Sequence, residues 1–295
     1  MSLTNEQMAQ LTNLQYNYAV RVVPDLLYHY TKYDVADLIL SSKGMSFRLT
    51  EINSFSDVTE GRLIQAYYEM ALHNLLNKKV ITDCEYDRLL CIDVPEKTLI
   101  ISDGKIGSSS EFRIYVGCFS VIGQDEYMYE NCIKNESHKG YCLEIPSWIL
   151  ENQFDRQGIA LGCRYYLSPI IYGSSIVDEI ENYLTDAKNI CHEFSFEIMN
   201  EAMNTLIMER LFSMRPITKL DRYRKENEVR LVISLPKNSD NTIDCPDFIN
   251  KVDEDHIEIC FDKYLNGLYP HNITEKEYED YLVEMQTRGY ISLLA

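Results

Sequence analysis

The side chains best suited to chemistry lie in a short acidic segment over residues 226–233, with the sequence Glu-Asn-Glu-Val-Arg-Leu-Val-Ile. Alternate residues of a β-strand share a face, so we expect Glu226, Glu228 and Arg230 on one face and apolar residues on the other. One carboxylate could hold a ribose hydroxyl and stabilise an oxocarbenium-like transition state, while its neighbour positions a nucleophile. A solvent-facing strand with a Glu–Arg pair would show the same spacing, so both interpretations stay open.

A second candidate is His29, which lies in the aromatic run Tyr-His-Tyr-Thr over residues 28–31. Imidazole carries both a donor and an acceptor and could bind a ligand hydroxyl, although a histidine in such a strand can equally be a structural group. The run Cys-Phe-Ser over residues 118–120 ends another predicted strand. We interpret Cys118 as a small core residue rather than a nucleophile, because no basic residue stands beside it in the sequence.

Several other chemistries have no motif in this sequence. It lacks the G-x-S-x-G elbow of serine hydrolases and the H-E-x-x-H spacing of zinc proteases. It also lacks a C-x-x-C pair and the G-x-G-x-x-G loop of dinucleotide-binding folds. We therefore expect no metal in the site.

Composition limits the partners. The chain has 295 residues and a formal net charge of −18, which disfavours nucleic acids and anionic membranes because both are bound through Lys and Arg. Its nine cysteines are scattered singly, as is typical of reduced thiols. No signal peptide and no long apolar run is evident, so we expect a cytoplasmic protein that does not enter a membrane.

The elements that must position these residues can be predicted from hydrophobic periodicity. Helices are expected over residues 5–20, 34–39, 57–76 and 275–286, and over 176–214 as one long helix or a hairpin of two. Strands are expected over residues 26–31, 47–49, 98–101, 112–121, 141–145, 159–171, 229–234, 257–261 and 291–294. This mixture predicts a single α+β domain over residues 1–295, with a mixed, mainly antiparallel sheet, flanking helices and a helical insertion near 174–215.

Taken in order, the motifs resemble those of a widespread family of bacterial proteins of uncharacterised function. That family shares Y-H-Y-T, C-F-S, H-K-G and E-x-E-x-R motifs, found here at residues 28–31, 118–120, 138–140 and 226–230. The resemblance also includes residues 53–60, which contain Asp57 and Glu60, and runs from about residue 26 to 233. Two positions depart from it: Ser-Asp-Val at 56–58 replaces Asn-Asp-Pro, and Tyr-Met-Tyr at 127–129 replaces a segment with a tryptophan.

The same family is similar to distant ADP-ribosyltransferases, whose nicotinamide pocket opens with a strand histidine and closes with a late glutamate. The resemblance implies an ADP-ribosyltransferase-like split sheet and NAD as substrate. By this resemblance Glu228 holds the nicotinamide-ribose 2′-hydroxyl, Glu226 orients the acceptor and His29 bonds a ribose of NAD. The resemblance further implies that the pocket around NAD includes Tyr30, Thr31, Phe119, Ser120 and Arg230.

Two functions therefore remain open at the level of sequence. The first is transfer of ADP-ribose from NAD to a macromolecular acceptor, or hydrolysis of NAD, without a metal. The second is a non-catalytic binding or regulatory protein of bacterial defence or stress response that keeps the fold. Retention of His29 and Glu228 favours the enzyme, whereas the missing tryptophan favours the binding protein.

Overall fold

In the computed structural model, the chain folds as helices on both faces of a large sheet. The structure describes residues 4–19, 21–41, 43–57, 59–93, 97–98, 101–102, 105–106, 110–133, 139–152, 163–192, 196–238, 242–243, 245 and 249–290. In these residues the α-helices are α1 (Asn5–Ala19), α2 (Tyr33–Ile39), α3 (Leu63–Asn77), α4 (Asp83–Leu90), α5 (Glu126–Cys132), α6 (Ser147–Asn152), α7 (Ser174–Cys191), α8 (Phe196–Met214) and α9 (Glu275–Arg288). Short 3-10 helices cover Ile52–Ser54, Arg215–Ile217 and Asp221–Glu226.

The strands follow the same chain order. They are β1 (Leu26–Lys32), β2 (Met45–Glu51), β3 (Lys97–Thr98), β4 (Ile101–Ser102), β5 (Lys105–Ile106), β6 (Ser110–Ser120), β7 (Gly140–Pro146), β8 (Arg164–Pro169), β9 (Ile171–Tyr172), β10 (Thr218–Lys219), β11 (Glu228–Pro236), β12 (Ile249–Lys251), β13 (His256–Phe261) and β14 (Gly267–His271). Ten of them form one antiparallel sheet, in which β12-β13-β2-β6-β1-β7-β14 follow one another, β11 and β8 continue from β6, and β3 also pairs with β6. The predicted α+β class with a mainly antiparallel sheet is confirmed.

Strand β6, the longest in the described residues, pairs differently along its two edges. One edge of β6 pairs with β11 along its length, from Phe112 opposite Pro236 to Ser120 opposite Glu228. The other edge is shared, because β2 pairs with it at Tyr115 and Val116 whereas β1 pairs only at Ser120. Residues 117–119 therefore face a gap between β1 and β2 in the described part of the chain.

Two hydrophobic cores lie on opposite faces of the sheet. Along β11, Leu231 and Ile233 pack into the core that also holds residues of α2, α6 and α9, whereas Val232 packs into the core formed with α1, α3, α4, α7 and α8. Burial of each such side chain stabilises the fold by about 1.5–3 kcal/mol. The period-2 pattern of β11 thus determines which side chains face each helical layer. It places Glu228 and Arg230 on the same face as Val232.

The predicted helical insertion is a hairpin of α7 and α8. The two helices pack together, and the Tyr183 hydroxyl on α7 donates to the Leu206 carbonyl on α8 at 3.0 Å. Both helices contribute to the core shared with α3. This settles the choice between one long helix and a hairpin in favour of the hairpin.

Other boundaries differ from prediction. The helix expected from residue 57 begins at Leu63, because Thr59 donates its backbone N–H and its hydroxyl to Asp57 in a turn, and Gly61 follows with φ of +69°. Periodicity missed the short elements α4, α5 and β14, which contain too few turns or residues to show a period. The strand expected over 291–294, most of 159–163, and His138 and Val58 of the motifs lie outside the described residues.

Candidate functional site

A cleft of about 180 Å³ lies where the end of β6 meets β1 and the start of β11. Six of the predicted site residues line it: His29, Tyr30, Phe119, Ser120, Glu226 and Glu228. The other lining residues are Tyr28, Cys118, Met128, Cys132 and Lys219. The structure thus brings together residues that lie up to 200 positions apart in the chain, from Tyr28 to Glu228.

Strand register aligns the centre of this cleft. Tyr28 of β1 lies opposite Ser120 of β6, which in turn lies opposite Glu228 of β11. Directly opposed residues of antiparallel strands share a face, so these three side chains form a row across the sheet. The Ser120 hydroxyl donates to the Glu226 carbonyl at 2.9 Å and accepts from the Ile122 amide at 3.1 Å, so it ties the end of β6 to the segment before β11.

His29 fills the place that a backbone partner would take in the gap. Its Nδ1 lies 3.1 Å from the Cys118 carbonyl oxygen, and its ring packs against Phe47 and Phe119 at centroid distances of 5.2 and 5.6 Å. Burial lowers the pKa of His29, which favours the neutral ring. Because a carbonyl can only accept, Nδ1 carries the proton, and Nε2 is left as an acceptor for a ligand hydroxyl.

Glu228 is held as an anion at the cleft. Its Oε1 accepts from Arg230 Nε at 2.6 Å and its Oε2 accepts from Lys219 Nζ at 2.8 Å. Burial disfavours the charged carboxylate, but Arg230 and Lys219 outweigh it and lower the pKa of Glu228 to about 2. Glu228 is therefore a fixed negative charge at neutral pH and is unsuited to proton transfer.

Two more carboxylates surround the same cations. Lys219 Nζ lies 2.6 Å from Glu226 and 3.5 Å from Glu60, and Arg230 Nη2 lies 2.8 Å from Glu60. Burial disfavours the Lys219 ammonium, yet Glu228 and Glu226 raise the pKa of Lys219 well above its ordinary value. Three carboxylates thus share two cations, and the cluster carries one negative charge in excess. Such a cluster suits a ligand or transition state with positive charge.

Arg230 and Thr31 belong to the site's support rather than to its surface. Neither lines the cleft, and both are buried. Arg230 is fully buried behind Glu228, where it also donates to the Pro216 carbonyl at 2.7 Å. Its guanidinium therefore orients the Glu228 carboxylate from outside the cleft lining.

Glu226 reaches the site by a route that strand periodicity does not predict. It ends the 3-10 helix Asp221–Glu226, and β11 begins only at Glu228, so the expectation that both glutamates lie on one strand is wrong. Between them Asn227 adopts the left-handed conformation, with φ of 42° and ψ of 53°. This turn changes the direction of the chain, so that the Glu226 and Glu228 carboxylates both accept a hydrogen bond from Lys219.

Asn227 should tolerate glycine but not alanine. Left-handed backbone costs a residue with a Cβ about 1–2 kcal/mol, and asparagine offsets part of this by local hydrogen bonding. We expect Asn227→Ala to lower the free energy of unfolding by about 1 kcal/mol, and Asn227→Gly to change it by less than about 0.5 kcal/mol. Urea unfolding measures both, and equal losses in the two variants would contradict a role for the backbone conformation.

The interpretation of Cys118 as a core residue is wrong, because its side chain lines the cleft and is open to solvent. Desolvation by the protein around it, together with the charge of the Glu228 carboxylate, raises the pKa of the Cys118 thiol well above its ordinary value. A neutral thiol is a poor nucleophile. The expectation that Cys118 is no nucleophile stays consistent with this environment.

The aromatic wall of the cleft is anchored at Tyr30. Its hydroxyl donates to the Ile122 carbonyl at 2.7 Å and accepts from the Asp125 amide at 3.0 Å, and its ring packs edge-on against Tyr129 at 5.0 Å. In the segment where the resembled family has a tryptophan, Met128 of α5 lines the cleft. A thioether can pack on a ligand ring but offers less flat surface than an indole.

Sequence reasoning missed Lys219 as a site residue. It lies in the two-residue strand β10, whose parallel pairing with β9 places it near the start of β11. No motif surrounds it in the sequence, and only the fold brings it to the carboxylates. Glu60 lies in the motif over residues 53–60, but the sequence indicated no role for it. In the structure it is 7 % exposed and pairs with Arg230.

Comparison with known proteins adds no assignment to this geometry. No family model, no curated protein and no solved structure matches the chain. Among the described residues, no group of three or more His, Cys, Asp or Glu side chains is placed to hold a metal ion. In the same residues, none of the helices combines the length and apolarity needed to cross a membrane.

Proposed function

We propose that this chain breaks the bond between nicotinamide and ribose in NAD and passes ADP-ribose to a macromolecular acceptor or to water. The observation that carries this proposal is the Glu228 carboxylate, held charged in the same cleft as His29 and the Phe119 and Tyr30 rings. A buried carboxylate with a lowered pKa stabilises positive charge without exchanging protons.

The chemistry of NAD cleavage matches such a site. The bond between ribose C1′ and the pyridinium nitrogen breaks, its electron pair neutralises the nicotinamide, and positive charge develops on the ribose. The leaving group is already neutral as it departs, so no general acid is needed. An acceptor oxygen or water then bonds to C1′ and releases its proton to solvent water. The positive charge thus moves from the pyridinium to the ribose, and the excess negative charge around Lys219 and Arg230 favours the transition state, in which that charge lies on the ribose, over the ground state.

Each cleft residue has a role in this proposal. Glu228 accepts a hydrogen bond from the ribose 2′-hydroxyl, and His29 accepts one through Nε2. The ring of Phe119 or of Tyr30 stacks on nicotinamide, and Glu226 orients the acceptor. A cleft of about 180 Å³ is below the ordinary size of a site for a drug-sized ligand, so it suits the nicotinamide and ribose while the rest of NAD lies outside.

A second candidate is a non-catalytic binding protein. Both Glu228 oxygens are already occupied by Arg230 and Lys219, which is also the arrangement of a structural ion cluster. In that case the cleft would recognise a cationic or nicotinamide-like ligand without turning it over. Release of nicotinamide distinguishes the two candidates.

The experiment measures nicotinamide released from NAD by the purified chain, with and without cell lysate as a source of acceptors. Wild type should release nicotinamide, and His29→Asn should raise KM about tenfold, the effect of one ligand hydrogen bond. His256→Asn is the matched control, because His256 pairs with Asp253 and does not line the cleft. Absence of release together with absence of a thermal shift at saturating NAD would overturn the proposal.

A further inference from the structure

A second pocket, of about 370 Å³, lies where the end of α1 meets α8 and β8. It shares no lining residue with the cleft. Its lining residues are Tyr18, Ala19, Arg21, Cys163, Arg164, Tyr165, Tyr166, Ser168, Arg210, Phe212, Ser213 and Ile217. Its volume lies in the range of ordinary small-molecule sites.

Three arginines converge on this pocket, in a chain with only 28 basic residues against 46 acidic ones. Arg21 and Arg210 both pair with the same carboxylate, Glu179 of α7. Arg164 Nη1 pairs with Glu209 Oε2 at 2.8 Å. Three guanidinium groups therefore share two carboxylates, which leaves one positive charge in excess among these groups.

Arg210 shows that this positive charge is incompletely satisfied. Its side chain is 6 % exposed, and its buried Nε–H finds no acceptor among the described residues. Burial and the neighbouring Arg21 charge lower the pKa of Arg210 to about 9, so the two guanidiniums repel one another. A second anion beside Glu179, which already pairs with both groups, would reduce this repulsion and supply the acceptor that the Arg210 Nε–H lacks.

The rest of the pocket is aromatic. Tyr18, Tyr165, Tyr166 and Phe212 line it, and the Arg164 guanidinium lies 5.5 Å from the centre of the Phe212 ring. A guanidinium held on an aromatic face presents its edge to an anion while the rings pack on a flat apolar body. The pocket thus combines an anion site with aromatic walls.

We propose that this pocket binds a small organic anion consisting of an aromatic body with one carboxylate or phosphate group. The aromatic body packs among the rings, and the anionic group bonds the guanidinium groups of Arg21 and Arg210. A purely structural role, in which Arg–Glu pairs join the segment after α1 to α7 and α8, would need no open volume between them. The pocket shares no lining residue with the cleft, so anion binding here can be tested independently of NAD cleavage.

Binding of four probes to the full chain tests the proposal. The probes are phenyl phosphate, benzoate, the neutral benzyl alcohol and inorganic phosphate, measured by calorimetry at low ionic strength. At least one aromatic anion should bind saturably and at least tenfold more tightly than both benzyl alcohol and inorganic phosphate, because one charge-assisted hydrogen bond gives such a factor. The preferred anion then identifies the group as carboxylate or phosphate.

Variants locate the binding. Arg21→Gln should weaken the tighter anion at least tenfold, whereas Arg48→Gln, a matched change at an exposed arginine of β2, should leave it unchanged. Arg164→Gln, at a side chain 32 % exposed, gives a second test if Arg21→Gln lowers the melting temperature strongly. Glu228→Gln should also leave binding unchanged. The proposal would be overturned if the aromatic anions bound no more tightly than benzyl alcohol. It would also be overturned if they bound Arg21→Gln and Arg164→Gln as tightly as they bind wild type.

Discussion

Replacing Glu228 with glutamine should lower the rate of nicotinamide release from NAD by about 10²- to 10³-fold, the usual effect of removing one preorganised electrostatic group. Glutamine keeps the shape of the side chain and can still bond the ribose hydroxyl, but it lacks the charge that stabilises the oxocarbenium ion. KM should therefore change little while kcat falls. Single-turnover release of labelled nicotinamide measures the chemical step directly.

A matched control distinguishes the effect of losing the Glu228 charge in the cleft from the general effect of losing a buried ion pair. Glu181 of α7 is also buried, with 7 % of its surface exposed, and pairs with Lys78, but it does not line the cleft. Glu181→Gln should leave nicotinamide release unchanged. If both variants lost activity in proportion to their melting temperatures, the loss would reflect folding and the role of Glu228 would be refuted.

The pH dependence of the same reaction follows from the two titrating groups. The pKa of Glu228, at about 2, keeps its carboxylate charged above pH 4, and the lowered pKa of His29 keeps its ring neutral near pH 7. Neither group changes charge between pH 7.5 and 8.5, so nicotinamide release should be flat over that window. A bell-shaped profile centred there would indicate acid–base catalysis and contradict the proposed role of Glu228.

Replacing Arg230 with methionine should lower the free energy of unfolding by about 3–5 kcal/mol, because removing one partner of a buried ion pair leaves the other charge uncompensated. Methionine keeps most of the volume, so the loss reports on charge rather than on a cavity. Glu228, 5 % exposed, would retain Lys219 but lose the donor on Oε1, and Glu60 would lose its 2.8 Å partner. Urea unfolding at pH 7 measures the difference.

The deficit of Arg230→Met should shrink on acidification. In wild type the pKa of Glu228, about 2, lies below its ordinary value of 4.5, so its contribution is constant above pH 5 and is lost only as the pH falls toward 2. Without Arg230, burial should raise the pKa of Glu228, so the folded variant binds protons more readily than the unfolded chain and gains stability as the pH falls. We expect a larger deficit at pH 8 than at pH 5.

Arg113→Met provides the comparison for this variant. Arg113 pairs with Glu254 at the surface, where its side chain is 22 % exposed, and loss of such a pair costs about 0–1 kcal/mol. A deficit for Arg230→Met that is similar in size to that of Arg113→Met, or equal at pH 8 and pH 5, would show that the buried cluster does not stabilise the fold by charge compensation.

The sequence by itself determined the elements whose patterns are local. The alternation of Val229, Leu231 and Ile233 predicts β11 and its apolar face, and the apolar spacing over residues 176–214 predicts the helices that become α7 and α8. Both follow from which side chains share a face within one element. The motifs around His29 and Glu228 also pointed to residues that the fold brings into one cleft.

Only the tertiary structure determines the ionisation states of those residues and the partners that hold their side chains in place. Lys219 reaches Glu228 through the pairing of β10 with β9, and Glu60 reaches Arg230 from a turn before α3. The left-handed Asn227 aims Glu226 at the same lysine, which a strand pattern cannot predict. The second pocket likewise joins arginines from three distant segments. Such contacts depend on long-range packing, because burial and charge compensation exist only after segments far apart in the chain have come together.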